Sequence, residues 1–195
     1  MTEQTPIVIV GTGLAGYSLA REIRKQDKGA RIVMVTADDG VSYSKPMLST
    51  GFTKGKDADG LAQADTDAMA EQLNLELRSY TTVTGVDTEG HRLLLGDESL
   101  SYSKLVLAWG ADVIRLTLPG EGQERVFPIN DLGDYRAFRK ALKPGNRVAI
   151  MGAGLIGCEF ANDLRNGDYE VEVIAPSDAV MPSLLPPVAA KAVQE

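Results

Sequence analysis

Ile7-Val8-Ile9-Val10-Gly11-Thr12-Gly13-Leu14-Ala15-Gly16 decides the reading of this chain. Four β-branched residues in a row predict a short strand buried on both faces, the kind found in parallel sheets. Three glycines in the pattern G-x-G-x-x-G follow it directly. Leu14 to Lys25 then places Leu19, Ala20 and Ile23 on one helical face, and Arg31 to Val35 reads as a second buried strand. Strand, turn, helix and strand make a βαβ unit, whose crossover is right-handed.

The glycines have separate jobs. The first permits the tight turn out of the strand, the second lets the backbone approach a pyrophosphate, and the third lets helix and strand pack closely. The phosphate would rest on unpaired N–H groups at the helix N-terminus, where the helix dipole favours an anion. A single turn of this kind also arises for packing reasons alone. Here it occurs twice, about 140 residues apart, each time after a β-branched strand and before an apolar-faced helix. The second copy runs from a strand over Arg147–Met151, also expected to be buried, through Gly152-Ala153-Gly154-Leu155-Ile156-Gly157 into a helix to Arg165 and a strand over Glu170 to Ala175. The candidate dinucleotide contacts are therefore Gly11, Thr12, Gly13, Leu14, Ala15 and Gly16 in the first turn, and Gly152, Gly154, Leu155, Ile156 and Gly157 in the second.

An acid usually ends the strand after such a turn and holds a ribose hydroxyl. Thr36 stands where that acid is expected, followed by Ala37, and the carboxylate of Asp38 comes late. Ile174 to Asp178 likewise lacks an acid at the strand end. No arginine is placed there to meet a 2′-phosphate, which favours NADH over NADPH.

Between the turns, Asp38 to Asp59 reads as irregular, and Asp65 to Leu73 as a helix capped by Asp65 or Thr66. Leu75–Tyr80, Val83–Val86, Arg92–Leu95 and Lys104–Trp109 carry strand signals separated by turn residues. They suggest a small antiparallel β excursion that rejoins the main sheet at Lys104–Trp109. Asp112 to Glu124 is a connector, and Leu132 to Leu142 a helix with Asp131 and Asp134 placed to cap it. The expected class is α/β: a Rossmann-like FAD/NAD(P)-binding fold with a small antiparallel excursion and an incomplete second Rossmann-like unit. The expected domains are 1–111 and 112–195.

Composition narrows the partners. At 195 residues, 44% hydrophobic and 24% charged, the chain has enough apolar content for a sizeable core. A net charge of −7 argues against a nucleic-acid surface, which needs a clustered basic face. No apolar run approaches the ~20 residues of a membrane span, and no signal peptide is visible before Ile7. A cytoplasmic location is expected. Cys158 is the only cysteine and reads as a small packing residue, so this chain builds no disulfide, dithiol or thiolate metal cluster. His91, the only histidine, sits beside a turn and has no partners for a metal site; no metal is expected. Trp109 would either cover an adenine or pack in the core, and packing is the expectation.

Two glycine turns flanking a β excursion resemble the flavoproteins with two dinucleotide-binding domains, in which the first turn holds FAD and the second NAD(P)H. Leu105-Val106-Leu107-Ala108-Trp109-Gly110-Ala111 resembles the strand by which those proteins leave the FAD domain, with Trp109 where threonine is usual. Ala108 and Gly110 are accordingly implied cofactor contacts, as is Val83, whose position matches one where the backbone meets the adenine. A narrower likeness lies in Ser42-Tyr43-Ser44-Lys45-Pro46-Met47-Leu48-Ser49, which resembles the segment of rubredoxin reductases that runs along the flavin ring. Ile156-Gly157-Cys158-Glu159-Phe160-Ala161-Asn162-Asp163-Leu164 resembles the same family.

The resemblance implies FAD and NADH as cofactors and rubredoxin, or a similar small electron carrier, as acceptor, feeding a partner such as an alkane hydroxylase. It also implies that Lys45 and Glu159 pair beside the flavin as the catalytic residues, with Lys45, Pro46 and Glu159 touching the cofactor. The family's disulfide reductases carry a cysteine pair in this region and this chain does not, so electrons would leave the flavin directly. Other acceptors (ferredoxin, flavorubredoxin, a nitrite reductase) and a non-catalytic nucleotide-binding fragment remain as alternatives. The later FAD-binding segment of the family has no counterpart here, so the chain is expected to be an N-terminal portion that alone binds FAD weakly at best and is inactive.

Overall fold

The computed structural model describes residues 4–115 and 118–194. Part of the expected 112–124 connector and the extreme ends of both expected domains lie outside these residues. The first elements are β1 (Ile7–Val10), α1 (Leu14–Gln26), β2 (Ile32–Val35) and β3 (Ser42–Tyr43). After a 3-10 turn over Lys45–Thr50 come α2 (Ala58–Leu61), β4 (Ala62–Ala64), α3 (Thr66–Leu73) and β5 (Glu76–Arg78). Next are β6 (Gly85–Asp87), β7 (Arg92–Leu95), β8 (Glu98–Ser101) and β9 (Lys104–Leu107). The remainder is α4 (Leu132–Ala141), β10 (Arg147–Met151), α5 (Leu155–Asn166), β11 (Glu170–Ile174) and α6 (Pro187–Gln194).

The chain divides into two compact units, one of Met1–Lys45 with Ala62–Ile114, the other of Pro46–Leu61 with Arg115–Glu195. The first is built on a parallel sheet ordered β5-β2-β1-β9. Its central strands explain their own sequence. Ile9, Ile32 and Met34 point to one face and pack with Tyr17 and Ala20 of α1 and Met69 and Leu73 of α3. Val8, Val10, Val33 and Val35 point to the other and pack with Leu93 and Tyr102 of the excursion. Both faces are covered, so both alternating sets must be apolar. Asp65 caps α3 by accepting from the amide of Ala68 at 2.8 Å.

The antiparallel excursion is the three-stranded sheet β6-β7-β8. Three readings change here. The Leu75–Tyr80 signal condenses to β5, which joins the main sheet parallel to β2 rather than the excursion. β8 supplies the third strand from a polar stretch, Glu-Ser-Leu-Ser, whose pairing to β7 comes from the turn at Gly96 rather than from hydrophobicity. Trp109 is 65% exposed, not core, because β9 ends at Leu107 and the chain leaves the sheet there.

In the second unit β10 and β11 pair in parallel, with α5 as their crossover. β10 was expected to be buried. Val148 and Ile150 are half-buried, whereas Arg147, Ala149 and Met151 are exposed. A two-stranded ribbon with one helix packed on it buries only alternate residues. Asp131 caps α4 by accepting from the amide of Asp134 at 2.7 Å, and the Asp134 carboxylate accepts from the Asn130 amide at 2.9 Å. Leu132, Tyr135 and Phe138 form the buried face of α4. Among the described residues no helix is long and apolar enough to cross a membrane.

Candidate functional site

In the first unit the candidate residues gather at the carboxyl ends of β1, β2 and β9. β1 connects to β2 on one side and has β9 on the other, so the sheet order reverses at the end of β1. Ligands of open parallel sheets bind in the crevice at such a point. Gly11 leaves β1 with φ +105°, and its amide donates to the Val35 carbonyl at 2.8 Å. A side chain there would strike the Ala108 carbonyl. A side chain on Gly16 would overlap the Gly11 carbonyl, so α1 lies directly against the turn. A side chain on Gly13 would meet nothing within 4 Å. The second glycine is thus free of packing duty, as an approach path for a phosphate requires.

Gly13 is the N-cap of α1, with no side chain capping the first amides and no acid in the first turn. Leu14 and Ala15 are exposed beside it, while Thr12 and Gly16 are buried. These bare N–H groups suit an anion. Thr36 is buried at the end of β2 and Ala37 is exposed just beyond. The acid missing from the strand end is restored by folding. Asp38 turns back so that its Oδ1 accepts from Thr36 Oγ1 at 2.6 Å, Thr12 Oγ1 at 3.3 Å and the Gly40 amide at 2.9 Å. Spacing in the sequence shows only that this carboxylate comes late.

The stretch before Val83 runs along the same edge, for Tyr80 and Thr81 donate their amides to the carbonyls of Asp38 and Thr36 at 2.9 and 2.8 Å. Val83 itself is half-buried against the β1–β2 valines. Ala108 donates to the Val10 carbonyl at 2.8 Å, and Gly110 follows with φ +79°. Tyr17, buried in α1, donates its hydroxyl to the Gly40 carbonyl at 2.5 Å. Burial, and then the negative charge of Asp38, push its pKa up to about 12.

The second unit repeats the first turn closely. Gly152 has φ +107°, and its amide donates to the Ile174 carbonyl at 2.8 Å. A side chain on Gly157 would overlap the Gly152 carbonyl, and one on Gly154 would meet nothing within 4 Å. Gly154 caps α5 without a side-chain bond, no acid lies in the first turn, and Leu155 and Ile156 are exposed. Both turns therefore fit a dinucleotide by the same criterion: a packed third glycine and an open second one.

Lys45 is exposed at the start of the 3-10 turn, followed by Pro46, also exposed. Glu159 lies on α5, and its Oε2 accepts from Ser49 Oγ, in that same turn, at 2.8 Å. Ser49 belongs to the segment that the sequence singled out, but its bond to α5 spans 110 positions and no local pattern signals it. Cys158 is half-buried, its thiol 3.6 Å from the Ala153 carbonyl. His91 is exposed and stacks on Tyr102.

The profile of the pyridine nucleotide-disulphide oxidoreductase family matches residues 5–195. The chain is 54% identical to the rubredoxin-NAD(+) reductase of Alcanivorax borkumensis over 96% of its own length and 49% of the relative's. It is 45% identical to the enzyme of the same name from Acinetobacter baylyi, over 97% and 50% of the two chains. It thus spans about half the length of these curated relatives. Among solved structures, the covalent putidaredoxin reductase–putidaredoxin complex superposes with a TM-score of 0.84 at 26% identity, covering 99% of this chain and 47% of that one. This chain belongs to the pyridine nucleotide-disulphide oxidoreductase family.

Proposed function

We propose that the chain is part of an FAD-dependent reductase that oxidises NADH and delivers the electrons one at a time to rubredoxin or a similar small carrier. The paired glycine cradles carry this reading, each with an open second glycine and a bare helix N-terminus. The likeness to two rubredoxin-NAD(+) reductases supports NADH as donor and rubredoxin as acceptor. One hydride from NADH carries two electrons, so each turnover reduces two one-electron acceptors and releases one proton. The bound flavin supplies the exchange between two-electron and one-electron chemistry.

The chain's own residues hold and tune the cofactors. The amides after Gly13 and Gly154 receive the two pyrophosphates, and Thr12, Thr36 and Asp38 line the first cradle. By the resemblance to rubredoxin reductases, Lys45 supplies a cation to the flavin and Glu159 a carboxylate, and the Ser49 hydroxyl holds the Glu159 carboxylate. With one cysteine, this chain supplies no dithiol of its own to relay electrons, which supports direct transfer from flavin to the external carrier. A cytoplasmic location fits a donor drawn from the NADH pool.

The test is NADH-driven reduction of rubredoxin by the purified, FAD-loaded full-length protein. Rubredoxin reduced no faster than by free FAD would sink the reading. Ferredoxin reduced faster than rubredoxin would reassign the acceptor.

A further inference from the structure

Asp163 is a buried acid that the proposed chemistry does not use. It lies on α5, one turn after Glu159, and is 1% exposed. A carboxylate that deep must be hydrogen-bonded or paired. Its Oδ2 accepts from the Phe52 amide at 3.0 Å and its Oδ1 from the Thr53 amide at 2.8 Å. Two consecutive backbone donors on one carboxylate make a two-pronged grip.

The same helix face holds this stretch at two more points. Ser49 donates to Glu159, and Asn166 Nδ2 donates to Thr53 Oγ1 at 2.9 Å. The Phe52 ring sits 3.8 Å from the Arg139 guanidinium and edge-on to Tyr169. Gly167 leaves it room, since a side chain there would come within 2.7 Å of the ring. A short loop clamped this thoroughly to one helix is held for register rather than for core volume.

We propose that Asp163 is a positioning residue: by holding the Phe52 and Thr53 amides it sets the preceding turn on α5 so that Ser49 fixes the Glu159 carboxylate. The inference rests on the proposed function, in which Glu159 acts beside the flavin. Because α5 begins at the second glycine turn, the same helix then carries both the dinucleotide cradle and the oriented carboxylate.

The test uses the FAD-loaded full-length protein and the Asp163→Asn variant, which keeps the shape but turns an amide N–H toward a backbone donor. Flavin bleaching by NADH, followed by stopped flow without acceptor, is expected to slow by about 10- to 100-fold, as for a misplaced catalytic group. The acceptor-side rate is expected to stay within about twofold, and amide exchange at Phe52 and Thr53 to accelerate. Adding Asp163→Asn to Glu159→Gln is expected to cost nothing further, because one acts through the other. Additive losses, an equal fall in the acceptor-side rate, or an unchanged bleaching rate would each overturn the proposal. Should Asp163→Asn not fold, the exposed Asn166→Ala substitution is expected to slow bleaching about 2- to 5-fold, again without addition to Glu159→Gln; no change overturns it. If NADH fails to bleach the wild-type flavin, the proposed function falls instead, and amide exchange at Phe52 and Thr53 still decides whether Asp163 holds the loop.

Discussion

Replacing Gly13 and Gly16 by alanine should separate binding from packing within one turn. At Gly16 the added methyl overlaps the Gly11 carbonyl and comes within 3.2 Å of Met34 Cε. Met34 can yield, but Gly11 cannot: it is pinned by its bond to Val35 and by φ +105°. The helix must lift from β1. Overpacking of this kind costs about 1–3 kcal/mol or more, and the helix propensity gained by alanine over glycine returns about 1 kcal/mol. An overlap with a fixed backbone carbonyl belongs at the upper end of that cost, so the net loss is about 2 kcal/mol, or a fall in Tm of about 4–8 °C for a chain of this size. Gly13→Ala adds a methyl that meets nothing, at φ −70° and ψ −171°, which suit any residue. Its effect on the cofactor-free protein should stay within about 1 kcal/mol, the poorer capping by alanine than by glycine included. The methyl would, however, occupy the approach to the turn, and FAD binding should weaken at least about tenfold, or about 1.4 kcal/mol. Thermal melts of the cofactor-free chain and FAD titrations of the full-length protein measure the two effects. Gly13→Ala binding FAD like wild type, or lowering the cofactor-free Tm as far as Gly16→Ala does, would refute the division of roles.

Other substitutions probe the same frame. Tyr17 titrates near 12 in the folded chain against about 10 when unfolded, so its contribution is full below pH 10 and is lost as pH rises toward 12. Denaturation curves between pH 9 and 12 should therefore slope less steeply for Tyr17→Phe than for wild type. Asp38→Ala strands the Thr12 and Thr36 hydroxyls and the Gly40 amide, and should cost about 1–3 kcal/mol by urea unfolding. Asp131→Ala removes the cap of α4 and should cost about 1 kcal/mol. Arg147→Ala breaks only exposed pairs with Glu170 and Glu172 and should change stability by less than about 1 kcal/mol in the same measurement.

Local chemistry explains what could be read in advance. β1, α1, β2, β10, α5 and β11 were legible because each is announced by a β-branched run, a glycine turn or a helical apolar face. The caps Asp65 and Asp131 were legible because capping acts over three residues. β5 was placed in the wrong sheet because a short strand's own residues do not name its partner. Trp109 was misread because burial depends on where β9 ends, not on side-chain hydrophobicity.

The paired glycine turns, and with them the α/β class, follow from the sequence alone. Backbone sterics within a few residues dictate that only glycine tolerates φ near +105° or allows the helix to rest on the preceding carbonyl. Tertiary structure decided the rest. Asp38 reaches the first turn across the end of β2, while Ser49, Phe52 and Thr53 meet Glu159 and Asp163 across more than 100 positions of chain. Such contacts leave no periodic trace in the sequence, since they are fixed by how a loop without regular pattern settles on one face of a helix.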